Sequence, residues 1–371
     1  MMTRKSKPAY LYLHVPFCHS ICAYCDFCHL VYRHETAEEW LEALQKEIVL
    51  KGISKELKTV YIGGGTPSCL TAEELDRLLG LLDPYTGQVQ EYTIEINPET
   101  MNTEKAEILK KHHVNRASVG FQSSDPSLLK LMGRHHDLKQ MEETVGLLRM
   151  VGIHNISLDL MYSLPGQNME MLKQSLKDAL NLHPSHLSLY SLTIEENTVF
   201  GKRGYHHLDD DTEADMYEYI CRTLPLKGYH QYEVSNFALN GYESVHNSAY
   251  WNYRDFYGIG MGASGKEGYL RYDNTWSLKE YLQNPLKRSE IHLSEKEAMF
   301  EMLMMGIRFK KGMDLSLFEE TFHRSFEKVY GQKAEALIQR GLIEYQNNHI
   351  RCTDTGYEIM NSILVEFMDD E

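Results

Sequence analysis

Residues 16–29 read PFCHSICAYCDFCH, setting four cysteines within eleven residues with Tyr24 and Phe27 wedged between them. Thiols this dense serve as a disulfide framework, a zinc knuckle, or ligands to a larger metal centre. Seven cysteines in all is an odd number, and Cys69, Cys221 and Cys352 stand alone at wide intervals, which is not the pattern of a secreted, stapled domain. Cys18, Cys22 and Cys25 form CxxxCxxC, and Cys28 extends the run by a further CxxC. Four soft thiolates so close in sequence can hold zinc tetrahedrally or an iron–sulfur cluster. Zinc alone does not explain the neighbouring sequence. The sharper reading is a [4Fe–4S] cluster held by three cysteines, with one iron left open to a small chelating ligand such as an amino acid amine and carboxylate.

On either side of this loop the chain alternates short β-rich runs with longer helical patterns. AYLYLHV, TVYIGGG, QEYTIEI, RASVGF, NISLDLMY and HLSLYSLT are the strand candidates, separated by segments such as AEEWLEALQKEI, AEELDRLLGLL and MEMLKQSLKDAL. Six such units predict parallel strands with helical crossovers, arranged as an open sheet, a barrel or a partial barrel. Thr71 to Glu74 spells a capping box, and Asn102 caps a helix with an acidic first turn. Gly63, Glu95, Gln122 and Asp159 fall at or just beyond the carboxyl ends of predicted strands, the face that carries chemistry in parallel folds.

After about residue 194 the rhythm changes. One helix candidate, DTEADMYEYICRTLPLKG, leads to YHQYEVSNFA and then to HNSAYWNYRDFYGIGMGASG (246–265), rich in Tyr, Trp and Gly. Lys287 to Ser294 reads as a linker or edge, and the remainder as helix, helix, two short strands and a final helix, a winged-helix pattern. Three regions follow: 1–200, a connecting region at 201–286, and a small domain at 287–371.

The chain has 371 residues, 42% hydrophobic and 25% charged, with 38 Lys and Arg against 53 Asp and Glu for a formal charge of -15. That length exceeds one small core, so a large domain with an appendix is expected. The acidic balance argues against a nucleic acid as chief partner. The opening MMTRKSKPAY reads as neither a signal peptide nor a membrane span, which makes the cytoplasm the default expectation.

CxxxCxxC at the end of a first strand, followed by GGGTPS at 63–68, resembles the radical S-adenosylmethionine (SAM) superfamily. The resemblance implies a partial (β/α)6 TIM-like barrel with a small C-terminal α+β, winged-helix-like domain. It implies that SAM chelates the open iron of a cluster on Cys18, Cys22 and Cys25, and that electron transfer from the reduced cluster yields a 5′-deoxyadenosyl radical. It further implies that Gly63, Gly64 and Gly65 admit the methionyl end and that Thr66 helps fix the exit from the turn. Tyr24 then matches an aromatic position on the adenine side, Glu95 an acidic contact to the methionyl end, Gln122 and Asp159 ribose-side contacts, and Arg134 a basic group near the cofactor carboxylate. Tyr12 and His14 alternate on the first strand and are expected to face the cavity near the cluster, Tyr12 as a cofactor contact. Cys28 is expected to be a spectator, because a fourth ligand would close the iron that SAM needs.

The motifs YLHVPFCHSICAYCDF, IGGGTPS, EINPE, SVGFQS, LMGRHH, DLMYSLPGQ and YEVSNFA narrow the resemblance to the oxygen-independent coproporphyrinogen III oxidase-like family, which includes a haem-chaperone branch. Two departures count against the oxidase. Its extra cysteine two positions after the third ligand is Phe27 here, and its N-terminal extension is missing before Cys18. HNSAYW at 246–251 matches the HNxxYW signature of the chaperone branch, which implies haem binding with His246 as axial ligand and Tyr250 and Trp251 against the macrocycle. The histidine pairs at 112–113, 135–136 and 206–207 gain no such support. The expected partners are haem, acceptor haemoproteins such as respiratory proteins, and an electron donor, and the reading admits peripheral contact with a membrane. The alternative is oxidative decarboxylation of coproporphyrinogen III to protoporphyrinogen IX, and enzymatic activity is left open.

Overall fold

A computed structural model describes residues 7–368; the opening MMTRKS lies outside the described residues. The main sheet contains β1 (Tyr10–Val15), β2 (Thr59–Gly64), β3 (Glu91–Ile96), β4 (Arg116–Gln122), β5 (Asn155–Tyr162), β6 (His186–Ser191), β7 (His230–Gln231), β8 (Asn236–Ala238) and β9 (Tyr257–Ile259). Their order is β9-β1-β2-β3-β4-β5-β6-β8-β7. Strands β1 to β6 and β9 run parallel, while β8 pairs antiparallel with β6 and β7 antiparallel with β8. The two edges, β9 and β7, do not pair with each other, so the barrel is partial.

The strands alternate, and the alternation explains the barrel. Leu11, Leu13, Val60, Ile62, Ile94, Val119, Leu158 and Leu187 all have no exposed surface and face the outer helices. Each such side chain stabilises the fold by about 1.5–3 kcal/mol. Between them sit Tyr12, His14, Thr59, Tyr61, Glu95, Ser118, Ser157 and Asp159. A parallel sheet covered on both faces would read as continuous apolar runs. Here one face packs on helices and the other lines a polar lumen.

Helices occupy the crossovers as read. His34–Lys51 buries Trp40, Leu41 and Leu44, Ala72–Thr86 starts at the complete Thr71–Glu74 capping box, and Asn102 caps Thr103–Lys111 by accepting from the Lys105 amide. No helix among the described residues is long and apolar enough to cross a membrane.

Strand β9 was absent from the sequence reading. It comes from the YGI of 257–259 and pairs Leu11 with Tyr257 on the free side of β1. A separate antiparallel sheet follows, and its third strand, Arg288–His292, shows that the stretch beginning at Lys287 is an edge. The C-terminal portion packs Phe318, Phe322, Phe326, Tyr330 and Phe367 into a second core, with a sheet formed by Met313–Asp314, Ile343–Gln346 and His349–Cys352. It is clasped to the barrel side by Tyr253 donating to Glu301 at 3.0 Å, Arg271 to Glu301 at 2.9 Å, and Arg308 stacked 4.4 Å from the Trp251 ring.

Candidate metal centre and lumen site

The cysteine loop leaves the carboxyl end of β1. Phe17–Cys18 pairs in parallel with Leu30–Val31, closing the intervening residues into a loop. The glycine run of β2 is stitched beneath it, with the Gly65 amide donating to the Val15 carbonyl and the Thr66 amide to the Phe17 carbonyl, both at 2.7 Å. On the far side, the Ala23 amide donates to the Met132 carbonyl and the Phe200 amide to the Ala23 carbonyl, both at 2.9 Å. The loop is therefore pinned to three separate parts of the barrel.

Cys18, Cys22 and Cys25 lie within electrostatic reach of one another. Burial pushes the Cys25 thiol up to about 11, and Cys22 and Cys18 push the same way. Cys18 is likewise raised by burial, with Cys22 adding and the Thr66 hydroxyl at 3.6 Å opposing. Such thiols hold their protons until a metal displaces them.

Cys28 lies elsewhere. Its carbonyl accepts from His14 Nε2 at 2.8 Å, and a methyl group placed on Gly262 would meet the Cys28 sulfur at 2.7 Å. Cys28 thus packs between β1 and the turn after β9. Since Nε2 of His14 donates there, Nδ1 accepts from the Tyr12 hydroxyl at 3.0 Å, and burial keeps the imidazole neutral by lowering its pKa.

Among the described residues, the trio of possible ligands gathered within 4.8 Å of one another is His34, Glu38 and Glu74. Glu74 there already accepts from Tyr32, the Thr71 amide and His34, so this trio is a helix-start network. Soft thiolates such as those of Cys18, Cys22 and Cys25 suit a multi-iron core.

The glycines form a floor that no side chain could share. A Cβ on Gly63 would lie 2.7 Å from Glu95 Oε1, one on Gly65 would lie 2.6 Å from the Phe17 carbonyl and 3.0 Å from the Cys18 sulfur, and Gly64 has φ of 111°. Glu95 accepts from the Tyr61 hydroxyl at 2.8 Å and the Gly64 amide at 3.1 Å. Burial drives its carboxyl up to about 7, partly opposed by the Tyr61 bond. A neutral or half-ionised carboxyl at this point becomes a carboxylate when a cation arrives.

Across the opening, β4 bulges at Gly120 to Gln122, and Gln122 adopts a left-handed φ of 58°. The bulge brings Gln122 and Arg134 together, since a Cβ on Gly120 would meet Gln122 Nε2 at 3.0 Å and Arg134 Nη2 at 3.4 Å. Arg134 donates to Asn97 Oδ1 and, at 3.1 Å, to the Tyr24 hydroxyl, while its buried Nε has no partner. Asp159 accepts from Ser118 at 2.8 Å and from Ser157 at 3.2 Å, and burial raises its pKa. Soft donors, a glycine floor, a carboxyl and an unpartnered guanidinium donor together fit a cluster carrying an amino acid chelate.

The HNSAYW segment lies at the opposite, amino-end side of the lumen. It forms the helix Val245–Trp251, whose first turn is held by Glu91 on β3 through the Val245 amide at 2.8 Å, the His246 amide at 3.0 Å and the Ser244 hydroxyl at 3.2 Å. His246 stacks on Tyr61 with ring centroids 5.2 Å apart. Its Nδ1 pairs with the Thr59 hydroxyl at 2.6 Å and its Nε2 with the Tyr250 hydroxyl at 2.7 Å. The ring is 0% exposed, and burial, with Arg116 adding, lowers its pKa to about 3. As folded, His246 has no free nitrogen for an axial bond. Trp251 points the other way, toward Tyr232, Phe309 and Arg308. The structure therefore gathers His246 and Tyr250 but not Trp251. Thr59, Tyr61, Glu91 and Arg116 were missed by the sequence reading, although each falls on the alternating inward register.

Two family models match the chain: the radical SAM superfamily over residues 12–179 and the HemN C-terminal domain over residues 293–359. It is 40% identical to the heme chaperone HemW of Lactococcus lactis over 98% of both chains. The chain belongs to the HemW family. HemW of Bacillus subtilis is 35% identical over 97% of this chain and 99% of its own. The solved structure of coproporphyrinogen III oxidase (HemN) from Escherichia coli, described as a radical SAM enzyme, superposes with a TM-score of 0.84 at 23% identity over 97% of this chain and 90% of that one. At that identity the likeness speaks for a shared fold, whereas the HemW relatives match this chain end to end at higher identity.

Proposed function

We infer that the chain is a haem chaperone, which binds haem and passes it to acceptor haemoproteins while carrying a [4Fe–4S] cluster coordinated by SAM. The observation that carries this reading is the end-to-end likeness to HemW, 40% over 98% of both chains. Cys18, Cys22 and Cys25 would hold the cluster. Gly63 to Gly65, Thr66 and Glu95 would receive the methionyl end, Arg134 its carboxylate, Gln122 and Asp159 the ribose, and Tyr24 the adenine side, with Tyr12 lining the approach.

When bound, the cluster and SAM supply one-electron cleavage of a carbon–sulfur bond. The protein's own part is positional. Glu95 offers an anion to an ammonium, Arg134 offers its unpartnered N–H to a carboxylate, and the glycine floor excludes side chains from the space between them. Residues 1–200 hold the cofactors, 201–286 carry the haem segment, and 287–371 fix that segment through Trp251 and Tyr253. Acceptors such as respiratory proteins, an electron donor, peripheral contact with a membrane and a cytoplasmic setting belong to the same proposal.

The test uses anaerobically reconstituted, haem-loaded protein mixed with an apo-haemoprotein. Transfer should appear as the acceptor's absorption spectrum, and coproporphyrinogen III should remain unconverted in a parallel assay. Protoporphyrinogen formation, or haem that never leaves, would overturn the reading.

A further inference from the structure

The C-terminal portion carries a cavity that neither the cluster site nor the haem segment uses. It measures about 430 Å³ and is lined by Lys310, Lys311, Gln346, Asn347, His349 and Arg351: three cations, a histidine and two side-chain amides, with no carboxylate. In a chain of 53 acidic against 38 basic residues this is a local reversal of sign. The walls are fixed to each other. Arg351 Nη1 donates to the Lys310 carbonyl at 3.5 Å, and Gly312, with φ of 85°, presses its turn so close to the sheet that a Cβ would lie 2.2 Å from the Ile350 carbonyl. Outside the lining, Glu344 accepts from Arg351 Nε at 2.8 Å, and Asp354 lies 3.4 Å from the Lys310 ammonium. Lys311 is exposed, its ammonium 4.9 Å from the Phe309 ring, and among the described residues no carboxylate pairs with it. The cavity also adjoins the wedge that fixes the 245–251 helix: the Lys310 amide donates to the Tyr232 carbonyl at 3.0 Å, and Phe309 packs with Tyr232 and Trp251.

We propose that an acceptor haemoprotein docks at this cavity through an acidic segment whose carboxylates enter between Lys310, Lys311 and Arg351. This rests on the haem-chaperone reading and gives the acceptor its chemistry. Charge and shape choose the occupant. A formal charge of -15 repels an anionic membrane plane, whereas charges more than about 8 Å away are screened at physiological salt, so a narrow segment meets the local cations alone. A volume of 430 Å³ suits several side chains better than one inorganic anion. An extended segment also has a guide, because Ile343–Gln346, which ends at the cavity, is an edge strand of its sheet. Lys311 matters most, since it has no ion pair to give up when a carboxylate arrives. Docking here sets the acceptor beside the Phe309 and Trp251 contact, on the outer side of the helix that bears the haem segment, so that steering and delivery share one face.

The experiment titrates full-length, cluster-loaded and haem-loaded protein with fluorescein-labelled hexaglutamate, read by anisotropy, and times haem transfer to an acidic apo-cytochrome b by absorption. Lys311→Glu should weaken hexaglutamate binding and slow transfer, each by about tenfold, with haem loading and iron content unchanged. Lys328→Glu makes the same change of net charge at an exposed position on the helix Phe326–Gln339, outside the cavity, and should match the wild type. Equal effects from the two variants would overturn the inference, and so would transfer that keeps its speed when hexaglutamate binding is lost. Vesicles of phosphatidylcholine and phosphatidylserine that bind the wild type but not Lys311→Glu, while hexaglutamate is ignored, would overturn it in favour of a lipid headgroup. If the wild type delivers haem without binding hexaglutamate, the docking assignment alone fails; if it binds hexaglutamate but never delivers haem, the chaperone reading fails and takes the assignment with it.

Discussion

The two ends of the lumen are built on different principles. At the carboxyl-end rim, groups wait for partners: three thiols lie within electrostatic reach of one another, Arg134 Nε has no partner, and burial pushes the Glu95 carboxyl up to about 7, so that an arriving cation favours its ionised form. At the amino-end floor, Glu91 holds three donors of the 244–246 turn, and His246 and His186 each have both nitrogens engaged. The rim is a receptor assembled from consecutive strand ends. The floor is a clamp that joins β3 to a helix more than 150 residues later, with Glu91 and His246 separated by 155 positions.

The sharpest way to break this contrast is at the rim. Ala in place of Cys18, Cys22 or Cys25 should remove essentially all cluster iron after anaerobic reconstitution, measured by iron content and the cluster's visible absorption. Cys28→Ala should keep a full complement and lose only about 1 kcal/mol of stability, because that sulfur packs against Gly262 away from the trio. Equal iron loss in Cys28→Ala would dissolve the distinction between ligand and packing residue.

At the floor, Glu91→Ala should cost about 3 kcal/mol, since it leaves buried amides of the 245–251 helix without an acceptor. Chemical denaturation measures this, and cluster content should be retained in the variant. Loss of iron in parallel with stability would show that the two ends act as one unit. Gly65→Ala is the rim counterpart: its Cβ falls 2.6 Å from the Phe17 carbonyl, so about 2 kcal/mol of overpacking strain should appear together with impaired cluster assembly.

The same division governs what could be read before the structure. The six strands and their crossover helices were legible because apolar residues alternate over runs of six to eight residues and the caps are spelled out. Gly63, Glu95, Gln122 and Asp159 were legible because parallel folds put chemistry at carboxyl ends. Arg134, by contrast, reaches the rim from beyond the helix Pro126–Met132, and only the family likeness pointed to it. β9 was not legible: three residues, Tyr257–Ile259, carry no period, and their place is set by the open side of β1. The floor escaped for another reason. Glu91 begins the same strand whose end supplies Glu95, and the EYTIEI alternation puts Glu91, Thr93 and Glu95 on one face, but nothing local says that a helix from residue 245 will land on it. Long-range capping depends on how the chain closes, and closure is a property of the whole sheet.

The smallest effect tests whether the rim is poised or merely buried. Glu95 in the folded protein titrates near about 7, above its ordinary 4.5, because burial disfavours the carboxylate more than the Tyr61 and Gly64 hydrogen bonds favour it. Between those two values the folded state binds more protons than the unfolded state, so stability declines as pH rises from about 4.5 to about 7 and then levels off. Glu95→Gln keeps an acceptor for Tyr61 and cannot ionise. It should remove Glu95's share of that decline, leaving the melting temperature flatter across the window, with little change at the acid end. If the two proteins follow parallel curves, the lumen around Glu95 is wetter than its neighbours imply, and the carboxyl is ionised before any cation reaches it. In that case the rim would be a fixed anionic site, and the contrast with the clamped floor would rest on the cysteines and Arg134 alone.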